Sequence, residues 1–118
     1  MAVIIQEMIF AKKGGVVFTR DIFHQRKGVL VIEAAKGLGE TVVSGLVNPE
    51  RVMVMKDTGV IIERHLVNSP VLIEKEIKDL TKMAKRIERL YQSPQDIEWA
   101  IWKNKIYILQ SRPITRRR

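Results

Sequence analysis

Asp96-Ile97-Glu98-Trp99-Ala100-Ile101-Trp102-Lys103-Asn104-Lys105-Ile106-Tyr107-Ile108-Leu109-Gln110-Ser111-Arg112-Pro113 is two apolar-rich runs around a polar turn. It reads as a β-hairpin with strands at 96–101 and 105–110. Immediately before it, Leu72, Ile73, Ile77, Leu80, Met83, Ala84, Ile87, Leu90 and Tyr91 recur at three- and four-residue steps. That spacing predicts an amphipathic helix over about 72–92, preceded by Pro70 and stopped by Ser93-Pro94. Further upstream, short β-rich runs fall at 3–8, 16–19, 28–34, 42–43, 51–55 and 60–63. Turn signals at 12–15, 37–40, 48–49 and 56–59, and a polar loop over 20–27, separate them. Strands, one long helix and then a hairpin, with no βαβ alternation, give an α+β fold with a largely antiparallel sheet.

The hairpin also concentrates chemistry. Glu98 and Gln110 offer a carboxylate and an amide oxygen, hard donors suited to Mg²⁺, and Arg112 suits a phosphate. For Glu98 and Gln110 to share a face, the positions of paired residues must sum to an even number. A two-residue turn at Lys103-Asn104 breaks that condition, whereas a three-residue turn, Trp102-Lys103-Asn104, satisfies it by pairing Ile101 with Lys105. The expected register therefore sets Asp96 opposite Gln110, with Glu98 diagonal to it. It turns Ile97, Trp99 and Ile101 toward the core and leaves Ile106 and Ile108 on the polar side.

At 118 residues the chain is expected to be one domain. It contains no cysteine, which excludes disulfides and Cys-based metal sites and fits a cytoplasmic location. The first apolar run is broken by Gln6 and Glu7 and has no basic start, so neither a signal peptide nor a membrane span is expected. The net charge of +8 raises the question of nucleic acid. The cations are dispersed, however, and those between Lys75 and Arg89 alternate with acids as on a solvated ion-paired face. Solubility and attraction for phosphate account for the charge without a nucleic-acid surface.

Several motifs occur together and in order: Met1-Ala2-Val3-Ile4-Ile5-Gln6-Glu7-Met8, Gly15-Val16-Val17-Phe18-Thr19, Ile32-Glu33-Ala34-Ala35-Lys36-Gly37-Leu38-Gly39-Glu40 and Val43-Ser44-Gly45-Leu46-Val47-Asn48-Pro49. Pro94 to Ala100 and Tyr107 to Thr115 complete the series. Over nearly its whole length the chain resembles the C-terminal half of the ATP-grasp nucleotide-binding domain of the phosphoenolpyruvate synthase and pyruvate, phosphate dikinase family. The resemblance implies ATP and Mg²⁺ as cofactors, with Glu98 and Gln110 as metal ligands and Arg112 on the terminal phosphate. It makes Asp96 an orienting carboxylate, or one that ties down its strand. Glu33, Gly37, Gly39 and Glu40 then border the nucleotide cleft, and Gln6 and Thr19 are cleft-side polar residues. Two alternatives stand beside this: Glu33 pairs only with a neighbouring Lys or Arg, and Gly37 and Gly39 are plain turn glycines.

Parts of the family pattern do not occur in these residues. The lobe that supplies the phosphate-clamping Lys and Arg is missing, as are the phosphohistidine domain and the pyruvate-binding barrel. Asp21-Ile22 stands where the family often has Asn-Pro, and the segment before the helix looks shortened. A fragment that is inactive alone is therefore expected. The alternative is a non-catalytic module pairing with a separate lobe or with a second copy of itself.

Overall fold

The computed structural model describes residues 13–36, 49–66 and 70–114. The strands expected at 3–8 and 42–43 and the turn at 37–40 lie outside these residues, as do Gln6, Gly37, Gly39 and Glu40. The described elements are β1 Lys13–Phe18, β2 Val29–Lys36, β3 Glu50–Met55, β4 Ile61–His65, α1 Glu74–Tyr91, β5 Gln95–Trp102 and β6 Lys105–Pro113. The strands form one sheet in the order β4-β3-β2-β1-β5-β6, antiparallel throughout. β1 to β4 meander toward one edge, and α1 carries the chain back across a single face so that β5 lands beside β1. The architecture is α+β, as the order of elements implied.

β1 runs between β2 and β5, and its pairing reaches back to Lys13. Lys13, Gly14 and Gly15, expected in a turn, are therefore strand, because partners on both sides satisfy their backbone groups. At Gly15 the neighbouring strand comes so close that an added Cβ would lie 1.9 Å from the Glu33 carbonyl oxygen.

α1 buries Ile77, Leu80 and Ala84 against Val17, Leu30, Ile32, Val52, Ile97 and Trp99 of the sheet. Each fully buried Leu or Ile of this kind contributes about 1.5–3 kcal/mol. The helix entry is tied down by carboxylates. Glu76 accepts the Ile73 N–H at 3.0 Å and the Lys13 ammonium at 2.6 Å, joining the first turn to β1. Buried Glu50 accepts the N–H groups of Val71 and Leu72, each at 3.0 Å, and pairs with Arg64. The helix ends at Gln92, left-handed with φ 56°, two residues before Pro94.

The hairpin differs from the expected register in an instructive way. The turn is the two-residue one: Lys103 and Asn104 have φ of 51° and 62°, and Trp102 pairs with Lys105. This is the backbone of a type I′ turn, whose twist matches the strands. Further along, the pairing steps from Trp99–Ile108 to Glu98–Gln110, leaving Leu109 as an extra residue. The bulge changes the parity, so Glu98 meets Gln110 directly and Asp96 meets Arg112. The two-residue turn, by pairing Ile106 with Ile101, puts Ile106 on the helix side, where it packs on the core.

Candidate functional site

Opposed residues on neighbouring strands share a face, so the registers define transverse rows across the sheet. Val17, Ile32, Val52 and Ile97 lie under α1. The rows beside them point to the other face. One row reads His65, Arg51, Glu33, Val16, Glu98, Gln110. The next reads Glu63, Met53, Val31, Phe18, Asp96, Arg112. Five of the residues singled out in the sequence thus stand together on the face of the sheet away from α1: Glu33, Asp96, Glu98, Gln110 and Arg112.

Glu98 and Gln110 form a direct cross-strand pair, close enough for both side chains to reach one ion. Among the described residues neither side chain has a hydrogen bond or an ion pair. A carboxylate oxygen and an amide oxygen are thus left facing the same space with their acceptor capacity unused, as a hard cation requires. No group of three or more His, Cys, Asp or Glu side chains converges as a closed metal cage among the described residues. Two such oxygens could supply part of a hard cation's ligand set.

Arg112 is exposed, and its Nε lies 3.5 Å from an Asp96 carboxylate oxygen. The terminal guanidinium nitrogens keep their donors available for an oxyanion. Asp96 therefore restrains the arginine and does not point at Gln110. Glu33 stands two strands from Glu98, about 10 Å away at the usual strand spacing, too far to bind the same ion. It is paired, and its partner is Arg51, whose Nε and terminal nitrogen reach Glu33 Oε2 at 2.9 and 2.8 Å.

Thr19 does not join this group. It is buried on the helix side, accepting the Gln95 N–H at 2.7 Å and donating to Glu88 at 3.2 Å. Its position one residue beyond Phe18 inverts its face, and its hydroxyl serves to join β1, β5 and α1. Glu88 is also held by Lys56 at 2.9 Å, which ties α1 to the end of β3.

The loop 20–28 folds onto the face away from α1. Buried Asp21 accepts the N–H groups of Phe23 and His24, both at 3.0 Å, and Arg26 Nε at 2.7 Å. Burial pushes its carboxyl up, but the His24 N–H, Arg26 and the Phe23 N–H together outweigh that and hold it below its ordinary value of 3.8. The loop so fixed sets the Phe23 ring edge-on to Phe18, with centroids 6.2 Å apart, and puts the Arg51 guanidinium 4.0 Å over that ring. Sequence reasoning missed Phe23 and Arg51. Their only signal was an aromatic residue in an otherwise polar loop and a cation starting a strand; the register that joins them was not readable locally.

The model of the pyruvate phosphate dikinase AMP/ATP-binding domain matches residues 1–71 and 64–118. The chain belongs to that family. It is 38% identical to a probable phosphoenolpyruvate synthase of Methanocaldococcus jannaschii, over 98% of the chain and 12% of the relative. It is 41% identical to one from Methanothermobacter thermautotrophicus, over 98% of the chain and 20% of the relative. A rifampicin phosphotransferase of Bacillus cereus is 34% identical, over 98% and 16%. The chain thus spans a fifth or less of the length of these relatives. Among the described residues no helix is long and apolar enough to cross a membrane.

Proposed function

We propose that the chain is the ATP- and Mg²⁺-binding lobe, the C-terminal half of an ATP-grasp domain, of a phosphoenolpyruvate synthase-like phosphotransferase. The observation that carries this reading is the direct opposition of Glu98 and Gln110, with Arg112 one row away on the same face. Glu98 and Gln110 supply two oxygens to Mg²⁺, which takes few protein ligands and completes its octahedron with phosphate oxygens and water. Arg112 meets the charge on the terminal phosphate, and Asp96 keeps its guanidinium from swinging into solvent. Transfer of a phosphoryl group relies on positioning and on neutralising charge, which are the two things this face offers.

One wall of a cleft does not exclude water or clamp three phosphates. These residues alone therefore bind Mg-ATP weakly and do not turn it over; the phosphate-clamping lobe is the partner they need. Relatives named for phosphoenolpyruvate synthesis and for rifampicin phosphorylation both contain this segment. The acceptor is therefore chosen outside it.

The test is a titration of the ¹⁵N-labelled chain with Mg-ATP, followed at the amides of Glu98, Gln110 and Arg112. Perturbation should centre on these residues, and Glu98→Gln should weaken binding by roughly tenfold or more. Shifts confined to α1 and unaffected by Glu98→Gln would contradict the assignment. Low-micromolar affinity in calorimetry would contradict the need for a second wall.

A further inference from the structure

Arg51 loads both of its bonds to Glu33 onto a single oxygen. Nε and a terminal nitrogen reach Oε2 at 2.9 and 2.8 Å. Among the described residues Oε1 has no hydrogen bond. The carboxylate is only 13% exposed and the guanidinium 35% exposed, so the pair is partly withdrawn from water. On its other side the guanidinium rests 4.0 Å over the Phe23 ring, and Phe23 is braced by Phe18. Glu33 is thereby held in one orientation with one acceptor unused, on the same face and in the same row as Glu98 and Gln110.

That acceptor lies about 10 Å from the Glu98–Gln110 pair, so it is not a further ligand of an ion seated there. Nor does it suit the phosphates. Phosphate oxygens bound to a cation are acceptors and carry charge of the same sign, and a carboxylate oxygen needs a donor. Arg51 cancels the charge of Glu33, which removes most of the repulsion from a neighbouring polyphosphate while leaving the lone pairs of Oε1 in place. The donors of a nucleotide are the sugar hydroxyls and, in some bases, an exocyclic amine. The sugar is the nearer of the two to the phosphates.

We infer that Glu33 Oε1 accepts a hydrogen bond from the ribose hydroxyls of the nucleotide, and that Arg51, backed by Phe23, is the positioning residue that aims it. This deepens the Mg-nucleotide reading and rests on it. It also gives the site a means of preferring ribonucleotides that the metal and phosphate contacts alone lack. A hydroxyl donor that fails to reach a partly buried, oriented carboxylate leaves that carboxylate desolvated and unpaired, and such losses discriminate strongly.

The experiment compares Mg-ATP with Mg-2′,3′-dideoxy-ATP on the chain by ¹⁵N NMR titration, which measures weak binding directly. The unsubstituted chain should favour ATP by roughly tenfold, with the amides of Glu33 and Ala34 shifting only for ATP. Glu33→Gln and Arg51→Lys should each erase most of that preference while the responses of Glu98 and Gln110 persist. Arg51→Ala should do the same; if it fails to fold, the two conservative variants decide. Inosine triphosphate in place of ATP should bind with the same sugar preference; its loss would assign Oε1 to the base amine and overturn the proposal. Equal affinity for both nucleotides, or full preference in Arg51→Lys and Glu33→Gln, would also overturn it. In those cases a response at Glu98 and Gln110 leaves the metal–nucleotide reading standing. No response there to Mg-ATP overturns both.

Discussion

Gly15 carries a constraint that no polar contact reveals. Its Cα faces the backbone of β2 so closely that a methyl group would overlap the Glu33 carbonyl oxygen and lie 2.9 Å from the carbonyl carbon. Backbone, unlike the end of a flexible side chain, cannot swing away, so β1 and β2 must separate. Gly15→Ala is expected to destabilise the chain by about 3 kcal/mol or more, read as a fall in the denaturant midpoint at constant slope. It should also shift the Glu33 amide, because the strand being pushed is the one that presents this carboxylate. Directly across on β5, Trp99 is fully buried and, among the described residues, its indole N–H has no partner. The bulk of the ring against α1 must outweigh that loss, since the group is kept in the core.

The loop 20–28 and the hairpin show two ways in which the chain aims side chains without long elements. Asp21 closes the loop from inside, and its depressed carboxyl makes the loop sensitive to acid. A carboxyl whose folded pKa lies below its unfolded value contributes stability that is complete above about pH 5. That contribution is lost as the pH falls through the unfolded value, 3.8, toward the lower folded one. Asp21→Asn removes the charge that Arg26 faces, so the variant should be less stable near neutrality. Its stability should also fall less steeply between about pH 5 and pH 3, as measured by urea unfolding across that range. A variant that tracks the parent's acid limb would place the titrating group elsewhere. In the hairpin, the turn and the bulge compensate. The two-residue turn is favoured by the twist of the strands, and taken alone it would turn Gln110 away from Glu98. The extra residue at Leu109 restores the face. Parity reasoning found the required relation between Glu98 and Gln110 but assigned the odd residue to the turn, since a bulge has no signature in an apolar run without glycine.

The helix and the succession of elements along the chain were legible because their signals are periodic or local: Ile77, Leu80 and Ala84 repeat along one face, and Pro94 follows its end. The strand order, with β5 beside β1, and the facing of Thr19 were not. Both depend on long-range pairing that no local pattern encodes. The sequence did place Glu98, Gln110 and Arg112 on one ribbon, because a hairpin is the one long-range contact that neighbouring residues specify. What it could not show is that β2 brings Glu33 into the same row, two strands away, already neutralised by Arg51. The described row lies on one sheet, and contacts from a single wall limit affinity. A ligand bound on one wall keeps most of its surface in water and gains only the few contacts that wall makes. Stabilisation by a ligand follows RT ln(1 + [L]/Kd), so a dissociation constant in the millimolar range yields only about 1 kcal/mol at about 5 mM Mg-ATP. The melting temperature of the chain should therefore rise by no more than about 5 °C under those conditions. Mg²⁺ alone should give less, and ATP with a chelator should give almost nothing, because in the proposed site the ion would join the phosphates to Glu98 and Gln110. A rise of more than about 10 °C would mean that this wall holds the nucleotide unaided. The need for a second lobe would then have no physical basis.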